Sequence, residues 1–449
     1  MISATLTNEV TMMVKQGVLA FKLEGTEELL TAQAGLVLAH EFHLALGVRQ
    51  LLDKCLPAPG SGRGLKASEV VLPVVLMLQG GGRDLGDIGV IARDKALRQA
   101  ADLRKVPAAS TLGDWLRRVG SSRRAMRGLE RVGRALAARR MEGSQRRDFT
   151  LDVDATIIEA NKRDAEVAYE GTRGYQPMLG FLFELRWLVH EEMRAGNVPA
   201  QSGAVDFIRS CARQMPAGSR IGRLRSDSAF YQHEVVELCE EKGIEYVIRA
   251  DWDEAVKAAY RGLGPQTWKR YVTEHTRRQR EVAETVHAFA RGGRAFRLIF
   301  VRDVEAQQSL FEMQEPVRTG AIITNVPAEK MTAAQVVEWY NQRGTAENYI
   351  KELKNGFGME RMPCGGQEAN AAWLHIGALA YNLFRLQQAQ ALPEELGSAS
   401  VQTVRWRLYE VAGRLVRHAR GTVLKVAAGW RLLWQMQGMR AASWRMAFG

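Results

Sequence analysis

Apolar side chains change their spacing along the chain near residue 149. Through residues 1–148 they recur at helical intervals, and the nine-residue apolar run Val70–Leu78 is compatible with either a buried helix or a buried strand. Beyond that point the period becomes two, because Phe149, Leu151 and Val153 alternate with polar residues. The pattern predicts a helical N-terminal region followed by a domain that is built around β-strands.

Strand and helix patterns alternate through residues 149–250, which form the first part of the predicted core. A second run with period two covers residues 179–189. The segments after it are predicted, in order, as helix, strand, helix and strand: 203–214, 221–226, 232–242 and 243–248. Two hairpin-like strands followed by strand, helix and strand are typical of a mixed α/β sheet.

The second half of the chain divides into three further regions. Glycines separate alternating runs over residues 251–325, which predicts an inserted β-rich module. Helical spacing returns over residues 326–390, the second part of the predicted core, and continues over residues 391–449 as a basic helical C-terminal region. The predicted fold class is therefore α/β, with helical regions on both sides of the core.

One helix of the second core part carries a row of polar and charged side chains. It is predicted to begin near Thr332, since Thr332 and Gln335 form a capping-box pattern, and to end at Asn355-Gly356. At 100° per residue, one stripe about 80° wide contains Tyr340, Arg343, Glu347, Lys351 and Lys354. A single carboxylate flanked by cations suits a metal ligand with phosphates on either side. An ordinary i,i+4 ladder of ion pairs explains the same spacing.

Two aspartates at predicted strand ends could join Glu347 in a metal site. Asp154 lies on the polar face of the first strand, and Asp227 follows the strand at residues 221–226. Carboxylate oxygens are the ligands that Mg²⁺ prefers, and a pair of such ions needs about three or four carboxylates. Each aspartate also has a structural explanation, as a helix cap or as a solvated strand residue. Asp152 shares the face of Asp154, so the spacing does not decide which of them is the ligand.

The charge of the chain favours a polyanionic partner. Its 62 Lys and Arg against 50 Asp and Glu give a net charge of +12. The stretch Arg117–Arg147 contains 11 Arg and two acids, and Arg405–Arg445 contains eight Arg and one Lys against one acid. We expect both stretches to bind the phosphates of a nucleic acid. The leading candidates in the first are Arg117, Arg118, Arg123 and Arg124. The helices there fit a helix-turn-helix or a plain helical bundle equally well.

Cysteine usage and hydropathy disfavour several other classes of protein. The four cysteines form no C-x-x-C pair, and no histidines stand near them at zinc-finger spacing. That pattern argues against a structural zinc site and a disulfide framework, and it fits a reducing cytoplasm. The longest apolar run is too short to span a bilayer, and the first residues do not have the form of a secretory signal. We expect a cytoplasmic protein with no membrane partner.

Three motifs together resemble the DDE transposases of bacterial insertion sequences. The two strand-end motifs are Asp154-Ala-Thr156 and Arg225-Ser-Asp227-Ser-Ala-Phe230. The third is similar to the tyrosine–arginine–glutamate–lysine helix that names one group of these enzymes, and its residues here are Tyr340, Arg343, Glu347 and Lys354. The segment Gly174-Tyr175-Gln176-Pro177 also resembles that group. The similarity covers most of residues 149–390 and extends more weakly into the N-terminal region.

The resemblance implies a ribonuclease-H-like core, similar to that of retroviral integrases, with the β-rich insertion between its last strand and the glutamate helix. The implied catalytic residues, which would bind two Mg²⁺ ions with Mn²⁺ as a substitute, are Asp154, Asp227 and Glu347. The residues implied to contact the DNA backbone are Tyr340, Arg343 and Lys354. Lys351 joins this group from its position on the helical stripe.

The implied activity is DNA transposition. The enzyme would bind the terminal inverted repeats of an insertion sequence, cleave the ends and transfer their 3′-hydroxyl strands to target double-stranded DNA by two-metal phosphoryl transfer. A homodimer on DNA is the expected working form, because two ends are joined to one target, and the bacterial nucleoid is the expected location. Two alternatives stay open: a metal-dependent, structure-selective nuclease with the same sheet, and a DNA-binding repressor or architectural protein derived from a transposase.

Overall fold

A nine-stranded mixed sheet forms the centre of the protein. The computed structural model describes residues 21, 23–274, 277–303, 319–419 and 421–448. Its strands, in chain order, are β1 (Leu30–Thr31), β2 (Asp148–Ala155), β3 (Ile158–Glu159), β4 (Glu166–Val167), β5 (Arg173–Tyr175), β6 (Met178–Leu182), β7 (Trp187–Glu192), β8 (Arg220–Ser226), β9 (Glu245–Arg249), β10 (Lys269–Val272), β11 (Gln279–His287), β12 (Phe296–Asp303), β13 (Thr319–Thr324), β14 (Gly413–His418) and β15 (Gly421–Val426). Two small sheets, β1-β14-β15 and β3-β5-β4, accompany the large one.

The central strands of the large sheet bring two strand ends together. The order across the sheet is β10-β11-β12-β13-β9-β8-β2-β6-β7. β2 runs antiparallel to β6 and parallel to β8, and β8 runs parallel to β9. Because β2 and β8 are parallel, with Val153 opposite Ser226, their carboxyl ends meet at the same edge of the sheet. The predicted α/β class with a large mixed sheet is confirmed.

The strands that were predicted to form an inserted module belong to the same sheet. β13 pairs with β9 in antiparallel register, with Ile322 opposite Arg249, and β12, β11 and β10 follow outward. Phe296, Leu298 and Phe300 of β12 are buried in the main core. The residues that were predicted to be β-rich thus extend the main sheet, since these strands cover the edge of β9 and satisfy its backbone groups.

Helices form layers around the sheet, and in the described part of the chain they lie both before and after the strands of the sheet. Their bounds are α1 (Ala34–Ala45), α2 (Val48–Cys55), α3 (Ala67–Gln79), α4 (Ile88–Arg93), α5 (Lys95–Ala100), α6 (Ala109–Gly120), α7 (Arg123–Met141), α8 (Ala204–Gln214), α9 (His233–Lys242), α10 (Glu254–Arg261), α11 (Ala333–Asn341), α12 (Gly344–Lys351), α13 (Gln367–Gln390), α14 (Val401–Val404) and α15 (Trp430–Phe448). The apolar run Val70–Leu78 lies in α3 and is thus a buried helix. Among the described residues, no helix is both long enough and apolar enough to cross a membrane.

The basic N-terminal helices are held in this layer by close packing. α13 is buried along most of its length and packs against α3, α6 and β7. At Gly120, the last residue of α6, a Cβ atom would lie 2.0 Å from the carbonyl oxygen of Glu368, so only glycine allows this approach. A two-residue turn then leads into α7, which packs against α2.

Two segments differ from the continuous elements that the sequence pattern predicted. The alternation over residues 179–189 is divided into β6 and β7 by a turn at Phe183–Arg186, in which Arg186 has a φ of 51°. The C-terminal region that was predicted as helical contains the hairpin β14–β15, which β1 joins as a third strand. A period of two identifies strand residues without showing where a strand ends, which explains the first difference.

A buried histidine in the helical layer makes stability depend on pH. His40 in α1 is 1% exposed, and neither of its ring nitrogens has a hydrogen-bond partner among the described residues. Burial, with a smaller contribution from Arg49, lowers its pKa from 6.5 to about 4. Between pH 4 and pH 6.5, His40 is therefore protonated in the unfolded chain and neutral in the folded chain. The stability that is present above pH 6.5 is therefore lost as the pH falls towards 4.

For His40 alone, we expect the free energy of unfolding to fall by about 2 kcal/mol between pH 7.5 and pH 5. Replacing His40 by leucine removes the titrating group and should remove that part of the pH dependence. Denaturant titrations of both proteins at the two pH values measure the difference, with His418→Leu as a control at an exposed histidine. Equal losses in the wild type and in His40→Leu would contradict this assignment.

Candidate active site

Asp154 and Asp227 meet at the edge of the sheet where β2 and β8 end. Asp154 is the second-last residue of β2, and Asp227 follows directly after β8. One guanidinium reaches both carboxylates: Nη2 of Arg343 lies 3.1 Å from Oδ2 of Asp154 and 3.6 Å from Oδ2 of Asp227. The parallel pairing of the two strands thus brings together two aspartates that are far apart in the sequence.

Arg343 lies between the two carboxylates as a buried cation. Its side chain is 12% exposed, and its Nε has no hydrogen-bond partner in the described part of the chain. Burial lowers the pKa of the guanidinium, but the charges of Asp154, Tyr340 and Asp227 outweigh burial, and the pKa is raised above its usual value. The surroundings therefore stabilise positive charge at this position.

The carboxyl group of Asp154 is in an environment that disfavours its ionised form. Burial raises its pKa from 3.8 to about 6, and Arg343 opposes that rise. The negative charges of Asp227 and Glu347 raise the pKa further. Arg343 alone does not restore the ordinary pKa of this carboxyl group, so the site favours additional positive charge.

Asp227 combines a structural and a site-facing role. Its Oδ1 accepts a hydrogen bond of 3.1 Å from the backbone N–H of Ala229, which caps the short helical turn Ser228–Phe230. Its Oδ2 faces Arg343 instead. The cap that the sequence suggested as an alternative explanation therefore coexists with the contact to the site, because each function uses a different oxygen.

The helix that was predicted to run from Thr332 to Gly356 is divided by a tight turn. The capping box of Thr332 and Gln335 is present and begins α11. After Asn341 the backbone bonds tighten to i→i−3, since Arg343 N–H donates to Tyr340 O and Ala346 N–H donates to Arg343 O, both over 2.8 Å. A π-helical turn follows α12. The five residues of the predicted stripe therefore do not share one continuous helical face.

Glu347 lies in the first turn of α12, next to the pair of aspartates. Its side chain is exposed and makes no hydrogen bond or ion pair within the described residues. Its charge nevertheless contributes to the raised pKa of Asp154. No group of three or more His, Cys, Asp or Glu side chains is arranged to hold a metal ion in the part of the chain that the structure describes. Two of the three predicted ligands, Asp154 and Asp227, therefore lie together, and the third, Glu347, lies beside them with its side chain exposed to solvent.

The remaining residues of the predicted stripe occupy different environments. Lys354 points towards the segment after Asp154, since its Nζ donates to Thr156 Oγ1 over 3.2 Å and to the carbonyl oxygen of Ile157 over 2.9 Å. Burial lowers the pKa of this lysine. Tyr340 is half-buried beside Arg343, and burial raises the pKa of its hydroxyl group. Lys351 is exposed to solvent.

The four N-terminal arginines lie around the turn between α6 and α7 and are all exposed: Arg117, Arg118, Arg123 and Arg124. Arg117 forms an ion pair with Asp114. The first turn of α7 contains Arg123 and Arg124 and no acid, although the N-terminus of a helix disfavours cations. An anionic ligand at this turn would offset that cost.

The donor set at the strand ends fits a hard divalent cation. Asp154 and Asp227 present two carboxylate oxygens to one cation, which here is the guanidinium of Arg343. Glu347 offers a third carboxylate, which makes no hydrogen bond or ion pair with any other described side chain. Oxygen ligands of this kind are those that Mg²⁺ and Mn²⁺ select.

Comparison with known proteins identifies the family. A family model described as transposase DDE domain group 1 matches residues 15–436. The chain belongs to this family. Among solved structures, the cryo-EM structure of the piggyBac transposase synaptic complex with hairpin DNA is similar at 10% sequence identity and a TM-score of 0.46, over 82% of this chain and 78% of that chain. No curated protein sequence matches the chain.

In this DDE transposase, Asp152 is separated from the pair of carboxylates by a buried ion pair. Arg225 donates to both oxygens of Asp152, over 2.7 and 2.8 Å, and both side chains are almost fully buried. Burial raises the pKa of Asp152, and the hydrogen bonds from Arg225 oppose that rise. Both carboxylate oxygens of Asp152 accept hydrogen bonds from Arg225. Asp154 is therefore the aspartate of β2 whose carboxylate contacts Arg343.

Arg225 also connects the sheet of the transposase to α11, the helix that leads into the turn that carries Arg343. Its Nη1 donates to the carbonyl oxygen of Trp339 over 2.9 Å, and its guanidinium lies 4.3 Å from the ring centre of Phe183. Arg225 belongs to the motif that contains Asp227, and the sequence pattern assigns it no role of its own. The available signal was a charged residue inside the predicted strand 221–226, two positions before Asp227.

Proposed function

We propose that this DDE transposase mobilises a bacterial insertion sequence. It binds the terminal inverted repeats, cleaves the ends and transfers the 3′-hydroxyl strands to target double-stranded DNA. The observation that supports this most directly is the meeting of Asp154 and Asp227 at one cation, beside Glu347. The strand order β7-β6-β2-β8-β9, an antiparallel meander followed by two parallel strands, supports a ribonuclease-H-like core.

Asp154, Asp227 and Glu347 are the residues that we propose to hold two Mg²⁺ ions, with Mn²⁺ as a substitute. When bound, such ions activate the attacking hydroxyl group and stabilise the leaving oxygen of a phosphodiester. Arg343 is placed where a phosphate would compete with the two aspartates for its guanidinium. Lys354 supplies a second cation at the end of β2. The protein thereby neutralises the DNA backbone next to the carboxylates.

Tyr340 and Lys351 complete the proposed contacts to the transposon end. Tyr340 lies beside Arg343, and Lys351 extends from α12 into solvent. The arginines around the turn between α6 and α7 are proposed to bind the inverted repeat further from the cleavage site. A homodimer in the cytoplasm, bound to nucleoid DNA, is the proposed working form, because two ends must reach one target.

Strand transfer separates this function from a structure-selective nuclease and from a DNA-binding repressor. The full chain is incubated with Mg²⁺, its flanking genomic DNA and a plasmid target. A transposase is expected to release ends at defined positions and to join their 3′-hydroxyl strands to the plasmid. Cleavage without joining would indicate a nuclease, and binding without cleavage would indicate a repressor.

We expect the replacement of the four exposed arginines by glutamine to weaken binding to the inverted repeat and to reduce the salt dependence of that binding. The four residues are Arg117, Arg118, Arg123 and Arg124. Each phosphate contact contributes about one unit to the slope of log K against log salt, so loss of four contacts lowers the slope by about three to four units. Binding titrations at several salt concentrations measure the slope. Replacing four other exposed arginines by glutamine, Arg209, Arg261, Arg291 and Arg294, serves as the charge-matched control. Equal slopes for the two variants would contradict the assignment.

A further inference from the structure

The carboxyl end of β9 carries a cation at the same edge of the sheet as the pair of aspartates. β8 and β9 are parallel and hold Ser226 opposite Ile248, so the next residues along the chain, Asp227 and Arg249, lie side by side at that edge. Neighbouring strands are about 5 Å apart, which places the backbone of Arg249 about 10 Å along the sheet from that of Asp154. The sequence pattern assigns Arg249 no role.

Arg249 lies on the face of the sheet that α11 covers. Val247, two residues earlier in β9, packs in one apolar cluster with Val336 of α11, and strand residues two apart share one face. Burial raises the pKa of the hydroxyl group of Tyr340, near the end of α11, and the charges of Arg343 and Arg249 oppose that rise. The guanidinium of Arg249 therefore lies near the carboxyl end of this helix, on the side of the aspartates.

The side chain of Arg249 is exposed and has no partner in the described part of the chain. It forms neither an ion pair nor a hydrogen bond there, although Asp227 follows the neighbouring strand. Asp227 accepts a hydrogen bond from Ala229 N–H with one oxygen and faces Arg343 with the other. Because a guanidinium can donate two parallel hydrogen bonds to a phosphate, Arg249 is available to a phosphate from outside the protein.

Lys354 and Arg249 lie on opposite sides of the two aspartates. Lys354 donates to Thr156 after the end of β2, whereas Arg249 ends β9, and β8 lies between these two strands. A DNA strand whose scissile phosphate is bound at the aspartates continues in two directions from that point. One direction leads to Lys354, which is proposed to contact the transposon end, and the other leads to Arg249.

We infer that Arg249 binds the phosphate backbone of the DNA beyond the scissile phosphate, which is flanking DNA during cleavage and target DNA during strand transfer. One site is proposed to carry out both steps, so the target takes the place of the flank once the end is cleaved. The inference deepens the proposed function and rests on it, since it names a residue that positions the DNA across the cleavage point.

Fluorescence-anisotropy titrations of the full chain without divalent metal compare two duplexes that share one transposon end. The shorter duplex stops at the cleavage point, and the longer one continues for about ten base pairs of flanking DNA. We expect Arg249→Gln to weaken binding of the longer duplex about five- to tenfold and to lower its slope of log K against log salt by about one unit. Binding of the shorter duplex should not change.

Two further variants control for charge and for position. Arg261→Gln removes an exposed arginine at the end of α10 and should change the binding of neither duplex. Lys354→Gln should weaken the binding of both duplexes. Denaturant unfolding of Arg249→Gln should match that of the wild type, because the substitution removes no contact of this side chain among the described residues.

A neutral methylphosphonate in place of single phosphates locates the contact. At one flanking position it should weaken wild-type binding as much as Arg249→Gln does, with no further loss in that variant. Equal losses for the two duplexes would make Arg249 a contact of the transposon end, and unchanged binding of both would make it a solvated surface residue. Either result overturns the inference, as does a flank without any sensitive phosphate.

These binding measurements do not depend on catalysis. A wild type that shows the expected flank dependence but joins no strands would count against the proposed strand transfer and would leave the role of Arg249 standing. Strand transfer by Arg249→Gln at the wild-type rate, together with unchanged binding of the longer duplex, would support the proposed function and remove the role of Arg249. The two failures are therefore distinguishable.

Discussion

Replacing Asp227 by asparagine is expected to lower the rate of DNA-end cleavage by about a thousandfold or more. Asparagine keeps an oxygen that can accept the hydrogen bond from Ala229, so the helical turn stays capped, but it removes the negative charge that faces Arg343. A metal site contributes several kcal/mol of charge stabilisation to phosphoryl transfer, and each 1.4 kcal/mol corresponds to about a factor of ten in rate. Single-turnover cleavage of inverted-repeat DNA measures the loss.

The comparison of two variants separates the catalytic role of Asp227 from its capping role. Asp227→Ala loses both the cap and the charge, whereas Asp227→Asn loses the charge alone. If Asp227 acts in the site, both variants lose cleavage while they keep their affinity for the inverted repeat. Cleavage that survives in Asp227→Asn and disappears only in Asp227→Ala would mean that this residue is a cap and nothing more.

Replacing Arg225 by methionine is expected to destabilise the protein by about 3–5 kcal/mol, because the carboxylate of Asp152 is then left buried without its partner. The double variant Asp152→Leu/Arg225→Met removes both charges and should recover part of that loss. It should not recover all of it, since the hydrogen bond from Arg225 to the carbonyl oxygen of Trp339 is also lost. Denaturant unfolding of the three proteins measures the free energies.

A matched control for the buried pair lies at the other end of the same two strands. Arg220 and Asp148 also join β8 to β2 by an ion pair, but their side chains are 63% and 54% exposed. Solvent screens such a pair, so Arg220→Met should cost at most about 1 kcal/mol. Similar losses in Arg220→Met and Arg225→Met would show that burial of the Asp152–Arg225 pair has no special importance.

The residues at the strand ends could be predicted from the sequence because their position follows from strand direction. Asp154 is the second-last residue of β2 and Asp227 directly follows β8, and the parallel pairing of these two strands brings their carboxyl ends together. The spacing alone could not decide between Asp152 and Asp154, since both share one face of the strand, and only the family resemblance indicated Asp154. The choice depends on Arg225, whose partner became visible only when β2 and β8 were placed side by side.

The helix that carries Arg343 shows a second limit of sequence patterns. A helical wheel assumes a constant rotation per residue, so it placed Arg343, Glu347 and Lys354 on one stripe. The tight turn after Asn341 and the π-helical turn after Lys351 change that rotation twice. As a result Arg343 is buried between the aspartates while Glu347 stays at the rim, although the start of the helix at its capping box was predicted correctly.

The large sheet shows a third limit, which concerns strand partners. The alternation at Phe296, Leu298 and Phe300 correctly indicated a strand. It carried no information on which edge that strand would join, because pairing is set by contacts that are distant in sequence. The same holds for the hairpin β14–β15, whose third strand β1 lies at the opposite end of the chain.

Binding of Mn²⁺, measured by the loss of the free-ion signal in electron paramagnetic resonance, tests the metal site most directly. We expect the wild type and Asp148→Asn, an exposed aspartate of the same strand, to bind Mn²⁺ equally well. We expect Asp154→Asn, Asp227→Asn and Glu347→Gln each to weaken that binding at least tenfold. Unchanged Mn²⁺ binding in Asp154→Asn and Asp227→Asn would contradict the claim that these strand ends form a metal site.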